Sequence, residues 1–559
     1  MAARGVSDQA EFNADWQALI TPSRLSHIDE AADALADAIE SGKKLLIVAD
    51  YDCDGATACA VGLRGLRALG AKVDYLVPNR FETGYGLSPE VVELALVHHA
   101  GKPDLIVTVD NGIASVDGVI AAKQHGIDVI VTDHHLPGDV LPPALAIVNP
   151  NQGGCGFPSK NLAGVGVMFY VLMALRTTLR ARGHFDSKSQ PRLDTLVYLV
   201  ALGTIADVVK LDANNRLLVT RGLKRIRSGQ MQPGLRALFA VCGRDPAQAN
   251  AFDFGFTIGP RINAAGRLTD MSLGIECLST DDEQHALELA RELDRINQER
   301  RQIEATMREQ AMATMATVAD LDKQPPADQA SGATGDVHND DRATQAAICV
   351  YQADWHQGVV GLVASRLKEK FWRPTVALAP GGDGIWRGSG RSIPDVHLRD
   401  VFDLVSKRHP GLILKFGGHA MAAGLTLPEH GLETFAKGFA DAVVELTGKT
   451  EFSARIETDG SLETGWANVQ TATLLQKQVW GAGFPAPLFL DEFLVQSQRL
   501  VGGKHMKLSL MRDRQRFDAI WFNHDEAVAE HIRAVYRPTP NVWQSNITLQ
   551  LVIETAEPA

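Results

Sequence analysis

Five short apolar runs recur between Lys43 and Asn149: KLLIVAD, AKVDYLV, DLIVTVD, DVIVTDHH and ALAIVNP, separated by stretches of helical composition. Runs this short, rich in Val and Ile and spaced by the length of a helix, predict parallel strands joined by helices in a doubly wound sheet. Three of the runs end on an acid: Asp50, Asp110 and Asp133. Ligands of open α/β sheets bind at the carboxyl ends of the strands. One edge of the predicted sheet therefore collects carboxylates and imidazoles, an arrangement that unrelated surface turns would not need to share.

The first acidic run is the densest. LLIVADYDCDGATACAVG carries Asp50, Asp52 and Asp54 straight into a small-residue segment suited to a helix. Carboxylates this close repel one another unless a cation lies between them. A solvated turn in which an Asp caps the helix explains the same residues equally well. In VTDHH, Asp133 precedes His134 and His135, so one imidazole can bind metal, the other can meet substrate, and the acid can orient a ring from behind. Oxygen ligands with one or two imidazoles suit Mn²⁺ or Mg²⁺ better than a thiolate-loving ion. The adjacent pair His98 and His99 lacks both the strand and the preceding acid, and reads as a helix end. Asp207, in ALGTIADVV, is a lone acid after a nonpolar run, for which a cap or buried salt bridge is the simpler account.

At 559 residues with 45% hydrophobic composition, the chain is too long for one core. The predicted divisions are a first α/β domain at 40–215, a helical connector at 216–320, a polar flexible insertion at 321–345, a second α/β domain at 346–448 and a small β domain at 451–559. Within the connector, 282–318 lacks Pro and Gly and predicts one long helix. In the last domain ARIETDGSL, DEFLVQSQRLV, HMKLSLM, RFDAIWFN and ITLQLVIETA read as strands. Six scattered cysteines without a C-x-x-C spacing suggest reduced thiols. No export signal or long apolar stretch stands out, so a cytoplasmic chain without a membrane partner is expected. The formal charge of −12 does not argue against nucleic acid, because metal-binding carboxylates add to it and a local basic groove can coexist with it.

The ordered set DYDCDG, VDNG, TDHH and GTIADVV resembles the DHH phosphoesterase superfamily. The resemblance implies two α/β domains, a DHH domain with a parallel sheet and a DHH-associated domain, joined by a long helix, with a C-terminal β-barrel of oligonucleotide-binding type. It implies that Asp52, Asp54, Asp110, His134 and Asp207 hold metal, two ions of Mn²⁺ or Mg²⁺, with Asp110 bridging, and that Asp50, Asp133 and His135 support catalysis. Over nearly the whole chain the likeness is to the branch that degrades single-stranded DNA from the 5′ end to mononucleotides in DNA repair and recombination. It further implies a monomer, with single-strand-binding protein and a helicase as partners. A phosphoesterase for dinucleotides or cyclic dinucleotides, and a non-catalytic DNA-binding scaffold, are the alternatives. The C-terminal domain argues against the first and the four intact acidic motifs against the second.

Outside the first domain, GPRINAAGRL places Arg261, Asn263 and Arg267 among small residues that admit a phosphate backbone, or else forms an interdomain turn with structural arginines. Ser389, Arg391 and Ser392 lie on or beside a predicted strand. Gly417, Gly418 and His419 lie between a strand and a predicted small-residue helix, where backbone amides face an anion. With His356, these segments resemble the nucleotide-holding wall of the DHH-associated domain. Trp480, Phe484, Trp521 and Phe522 are candidates for base stacking and equally for core.

Overall fold

The computed structural model describes residues 2–6, 11, 15–79, 83, 85–321, 346–544 and 546–559. The expected flexible insertion at 321–345 lies, from 322 on, outside the described residues. The chain forms two compact units, one comprising Met1–Asp294 with Glu457–Ala559 and the other Arg295–Ile456.

The first unit opens with α1 (Ile28–Glu40) and continues through β1 (Lys44–Ala49), α2 (Cys53–Ala68), β2 (Lys72–Leu76), α3 (Pro89–Leu96), β3 (Leu105–Val109), α4 (Val116–Gln124), β4 (Asp128–Thr132) and β5 (Ala146–Val148). The strands pair in the order β2-β1-β3-β4-β5, and every pairing is parallel. Both faces are covered, which is why the strands read as continuous apolar runs rather than alternating ones. Leu46, Val48, Ile106 and Val129 face α3 and α4. On the other side Leu45, Ile47 and Val107 join α1, α2, α5 (Gly164–Ala181) and α6 (Val197–Ala206) in one large core. Helix α5 is long and apolar enough to cross a membrane by length and composition, but 67% of it is buried inside this core. The strand order reverses between β1 and β3, and there the carboxyl ends open a crevice.

Helices α7 (Ala213–Arg227), α8 (Pro233–Val241), α9 (Gly259–Leu268) and α10 (Ser272–Ser279) follow, with a π-helical turn at Asp253–Ile258. GPRINAAGRL is therefore helix α9 and not a turn. Helix α11 (Glu283–Leu321) realises the expected long helix, and the boundary between the two units falls within it.

The second unit contains β6 (Ile348–Tyr351), α12 (Val360–Phe371), β7 (Thr375–Gly382), β8 (Ile385–Arg391), α13 (Leu398–Arg408), β9 (Lys415–Gly418), β10 (Ala422–Pro428) and α14 (Leu432–Thr447). Its sheet runs β6-β7-β8-β10-β9, parallel only between β6 and β7. The segment after His419 was expected to be helical and is instead β10, hydrogen-bonded on both sides by β8 and β9. Small residues carry little intrinsic preference against a strand once two neighbours offer a ladder.

After α15 (Val469–Lys477) the C-terminal part closes a barrel β11-β12-β13-β15-β14, from β11 (Phe489–Val501), β12 (His505–Arg512), β13 (Gln515–Trp521), β14 (His531–Trp543) and β15 (Asn546–Pro558). This five-stranded topology is the oligonucleotide-binding barrel. Two expectations change here. ARIETDGSL forms no strand, whereas HIRAVYRPTPNVW does, in spite of Pro538 and Pro540. Beyond Tyr536, β14 pairs with β15 but no longer with β11, so both prolines sit where one edge needs no N–H donor.

Candidate metal centre

β1 ends at Ala49, and the turn after it, beginning with Asp50, is organised by its own carboxylates. Asp52 is the N-cap of α2, its Oδ1 accepting from the N–H groups of Asp54 (2.8 Å) and Gly55 (3.0 Å). The capping role and the acidic-cluster role thus fall on the same residue. The Cys53 N–H donates to Asn263 Oδ1 at 2.8 Å. Helix α9 approaches so closely that a Cβ at Gly266 would lie 1.9 Å from the Tyr51 carbonyl oxygen. Asn263 therefore holds the acidic turn from outside.

Asp54 points to the start of α5, where the N–H groups of Gly164 and Val165 donate to its two oxygens at 2.5 and 3.0 Å. A helix N-terminus is a natural seat for a carboxylate. A Cβ at Gly164 would come within 2.5 Å of Asp110, and one at Gly203 within 2.7 Å of Asp54 Oδ1, so glycine is what lets α5 and α6 close around the site. Asp110, after β3, has φ of +62°, and Val208, beside Asp207, has φ of +63°. Left-handed backbone is costly for both, most of all for a β-branched residue.

At the centre stands His134. Its Nε2 lies 3.1 Å from Asp110 Oδ1, 3.5 Å from Asp207 Oδ2 and 3.9 Å from Asp54 Oδ2. The ring also hydrogen-bonds the backbone of Leu162, and Nε2 and Asp110 Oδ1 are both buried without a hydrogen-bond partner. Asp50, Asp52 and Asp110 bring oxygens within 4.8 Å of one another, as do Asp54, His134 and Asp207 with theirs. Burial and mutual repulsion push Asp50, Asp110 and Asp207 well above the usual carboxylate range. Asp54 is raised to about 7, by burial and then by Asp52, against the pull of the Val165 and Gly164 N–H groups. Burial and then His135 lower the His134 imidazole to about 4, leaving it neutral. Lone pairs facing lone pairs in a buried place mark a site short of positive charge, and the donor set fits a hard divalent cation.

Asp133 behaves differently. It accepts from the N–H groups of Ile113 (2.9 Å), His134 (2.7 Å) and His135 (3.1 Å), and from His135 Nδ1 at 2.7 Å. Burial opposes its charge, but these bonds hold it below the usual range. Burial likewise opposes the His135 cation, yet the Asp133 bond and charge, with Asp50 and Asp52 behind, raise it to about 9. Asp133 and His135 are thus an ion pair at the rim of the cluster. Tyr85 completes this rim, its hydroxyl donating to the Asp110 carbonyl at 3.3 Å and lying 3.3 Å from His135 Nδ1. Nothing in the sequence reading pointed to Tyr85, which follows no strand; only its place between two glycines hints at a close approach. His98 and His99 stay apart from this cluster, His99 pairing with Asp74 at 3.0 Å.

Of the remaining candidates, Arg261 is occupied by Asp294 (2.8 Å) and the Thr257 carbonyl (2.6 Å), while Arg267 lies half-buried farther along α9. Phe484 is core, and Phe522 is half exposed. In the second unit, Arg391 Nη1 donates to Ser389 Oγ at 2.9 Å and to the Gly390 carbonyl at 2.8 Å. A Cβ at Gly361, at the start of α12, would lie 2.9 Å from both side chains. Burial lowers the Arg391 guanidinium. Ser392 is spent on the Val396 carbonyl (2.6 Å), and His356 Nδ1 accepts from the Gly358 N–H (3.1 Å). Gly418, with φ of +133°, and His419 form the β9–β10 turn, and the pairing of Arg391 with Ala422 brings that turn beside Arg391.

Known proteins agree with this architecture segment by segment. The family model for the DHH family N-terminal domain matches residues 44–204, that for the DHHA1 domain matches 343–445 and that for the RecJ OB domain matches 458–555. The single-stranded-DNA-specific exonuclease RecJ of Salmonella typhimurium is 45% identical over 100% of this chain and 95% of its own length. The chain belongs to the RecJ family. As a family member it is a metal-dependent exonuclease, a hydrolase of phosphodiester bonds. Escherichia coli RecJ is 44% identical with the same coverage. The crystal structure of Thermus thermophilus RecJ in complex with Mn²⁺ superposes with a TM-score of 0.80 at 28% identity, covering 100% of this chain and 75% of that one. The crystal structure of the same protein in complex with Mg²⁺ gives a TM-score of 0.75 at 27% identity, covering 100% and 74%.

Proposed function

We propose that the chain degrades single-stranded DNA from the 5′ end to mononucleotides, in DNA repair and recombination, with single-strand-binding protein and a helicase as partners. The observation that carries the reading is the buried, partnerless contact of His134 Nε2 with Asp110 Oδ1, ringed by Asp54 and Asp207. In this reading Asp52, Asp54, Asp110, His134 and Asp207 hold two ions of Mn²⁺ or Mg²⁺, and Asp50 supports them. Divalent cations bound there supply water activation and neutralise charge on the phosphate.

The chain's own residues do the rest. The N–H groups of Gly164 and Val165 fix Asp54, and the cap fixes Asp52, so the ligands are in place before substrate arrives. His135, held as a cation by Asp133, faces the substrate phosphate. A water oxygen bonds to phosphorus as the bond to the 3′ oxygen breaks, and no protein nucleophile is required. Arg391, half-buried without a carboxylate among the described residues and aligned by Ser389, supports an anion-binding role in the second unit. The barrel supports a long substrate, since oligonucleotide-binding barrels grip single strands.

The test is digestion of 5′-phosphorylated single-stranded DNA, its duplex and a dinucleotide, with Mn²⁺ or Mg²⁺. Stepwise release of mononucleotides from the single strand alone is expected. Hydrolysis confined to the dinucleotide would sink the reading.

A further inference from the structure

The π-helical turn Asp253–Ile258 presents a feature that core packing does not use. Phe254 is fully buried and anchors the turn, whereas Phe252 and Phe256, two residues to either side, are 55% and 67% exposed. Their rings stack on each other, with centroids 4.8 Å apart and planes inclined by 22°. A lone exposed aromatic is ordinary. Two stacked rings are a preformed, rigid aromatic surface with their outer faces open to a further ring. π-helical segments also cost stability and recur at functional sites.

The location is equally specific. The turn packs on α6: Gly255 lies against Ile205, and Gly259 against Ala206, at 3.5 and 3.2 Å from where their Cβ atoms would be. Asp207 follows immediately, and after it the strained and exposed Val208. The aromatic pair is thus mounted on the residues that present one carboxylate of the metal centre. A half-exposed ion pair borders the turn, with Arg244 Nε 3.3 Å from Asp253 Oδ1.

We propose that Phe252 and Phe256 form a stacking platform for nucleobases of the single strand next to the hydrolytic site. Every base offers a π face whatever its identity, so the platform would hold the strand without reading its sequence. An apolar protein segment would call for a concave pocket; two stacked, exposed ring faces fit the flat face of a base. The inference rests on the single-stranded DNA substrate proposed above.

The test is fluorescence anisotropy with a short 5′-phosphorylated oligothymidylate, the metal removed by EDTA so that the strand survives. Replacing both rings by Leu (Phe252→Leu with Phe256→Leu) keeps apolar bulk but removes the π faces, and is expected to weaken binding by roughly tenfold to one-hundredfold. Replacing both by Trp restores it. A strand of equal length with abasic sugars binds the wild-type protein and the Leu variant equally. Unchanged oligothymidylate affinity in the Leu variant overturns the proposal and leaves the pair to an apolar partner surface. An equal loss on the abasic strand also overturns it, because the effect would then be structural. If the wild-type protein binds no oligothymidylate, the substrate reading falls and the platform with it; in the other two failures wild-type binding is intact.

Discussion

Two of the polar clusters buried in the first unit are opposites. In the barrel, Asp491 accepts from Tyr536 Oη (2.7 Å), the Leu462 N–H (3.2 Å) and Ser461 Oγ, and forms an ion pair with the Arg512 guanidinium. Its negative charge is fully met by the protein. At the end of the parallel sheet, Asp54, Asp110, Asp207 and His134 converge with no arginine or lysine among them, and Asp110 Oδ1 and His134 Nε2 have no partner. Evidently burial alone does not distinguish a structural carboxylate from a functional one. What distinguishes them is whether the fold supplies the counter-charge.

The largest expected effect comes from removing charge where the fold supplies none. Asp110→Asn should lower exonuclease turnover by about a thousandfold or more. The same change should leave the melting temperature in EDTA unchanged or higher, because it removes a buried carboxyl whose ionisation nothing in the fold offsets. A fall in stability in EDTA would show that the cluster is structural after all, and the contrast would collapse.

Asp491→Asn should do the reverse. It leaves Arg512 buried without its partner, which costs about 3–5 kcal/mol, readable as a lower denaturant midpoint. Turnover on short substrates at a temperature where the variant is folded should change far less. A stability cost within about 0.5 kcal/mol would mean that hydrogen bonds, and not the ion pair, carry this part of the barrel.

These two clusters were unequally visible in the sequence. Asp50, Asp52, Asp54, Asp110 and His134 could be placed together because each follows an apolar strand, and parallel strands end at one edge. Asp207 could not, because its position depends on α6 returning across the sheet, a long-range packing event without a local pattern. Tyr85 was obscure for the same reason, reaching the site from a loop whose own residues say nothing of it; Asn263 stood out as a phosphate contact, but its bond to the Cys53 N–H depends on how α9 packs on the acidic turn. In the barrel, Pro538 and Pro540 disguised β14, since an unpaired edge cannot be read from one strand alone. The Asp491 network left no signal, being assembled from four separate segments.

The difference should also appear as a dependence on pH. The Asp54 carboxyl is raised from 3.8 to about 7 in the fold, so the native state keeps a proton there that the unfolded chain has released. The contribution of Asp54 to the stability of the metal-free protein is then full below about pH 4 and is lost as pH rises toward and through 7. Cation binding displaces the same proton, so the rise in melting temperature on adding Mn²⁺ should grow, by a few degrees, between about pH 5 and pH 8. A metal effect that is constant over this window would mean that the cluster is already ionised without metal.

The smallest effect belongs to the residue that holds the acidic turn without adding charge. Asn263 Oδ1 accepts the Cys53 N–H at 2.8 Å, and Asn263→Ala should cost about 1–2 kcal/mol of stability. If its work is to position Asp52 and Asp54, metal affinity and kcat should fall roughly tenfold to one-hundredfold together, with KM for DNA little changed. If instead its amide meets the DNA backbone, KM should rise while metal affinity stays. Asn263→Asp separates the two further, because it keeps an acceptor for Cys53 but brings a fourth carboxylate toward Asp50, Asp52 and Asp54. A positioning role then predicts that added Mn²⁺ recovers most of the turnover, since the extra charge is what a cation offsets. A phosphate-binding role predicts a KM that no amount of metal restores, because the new carboxylate would repel the strand itself.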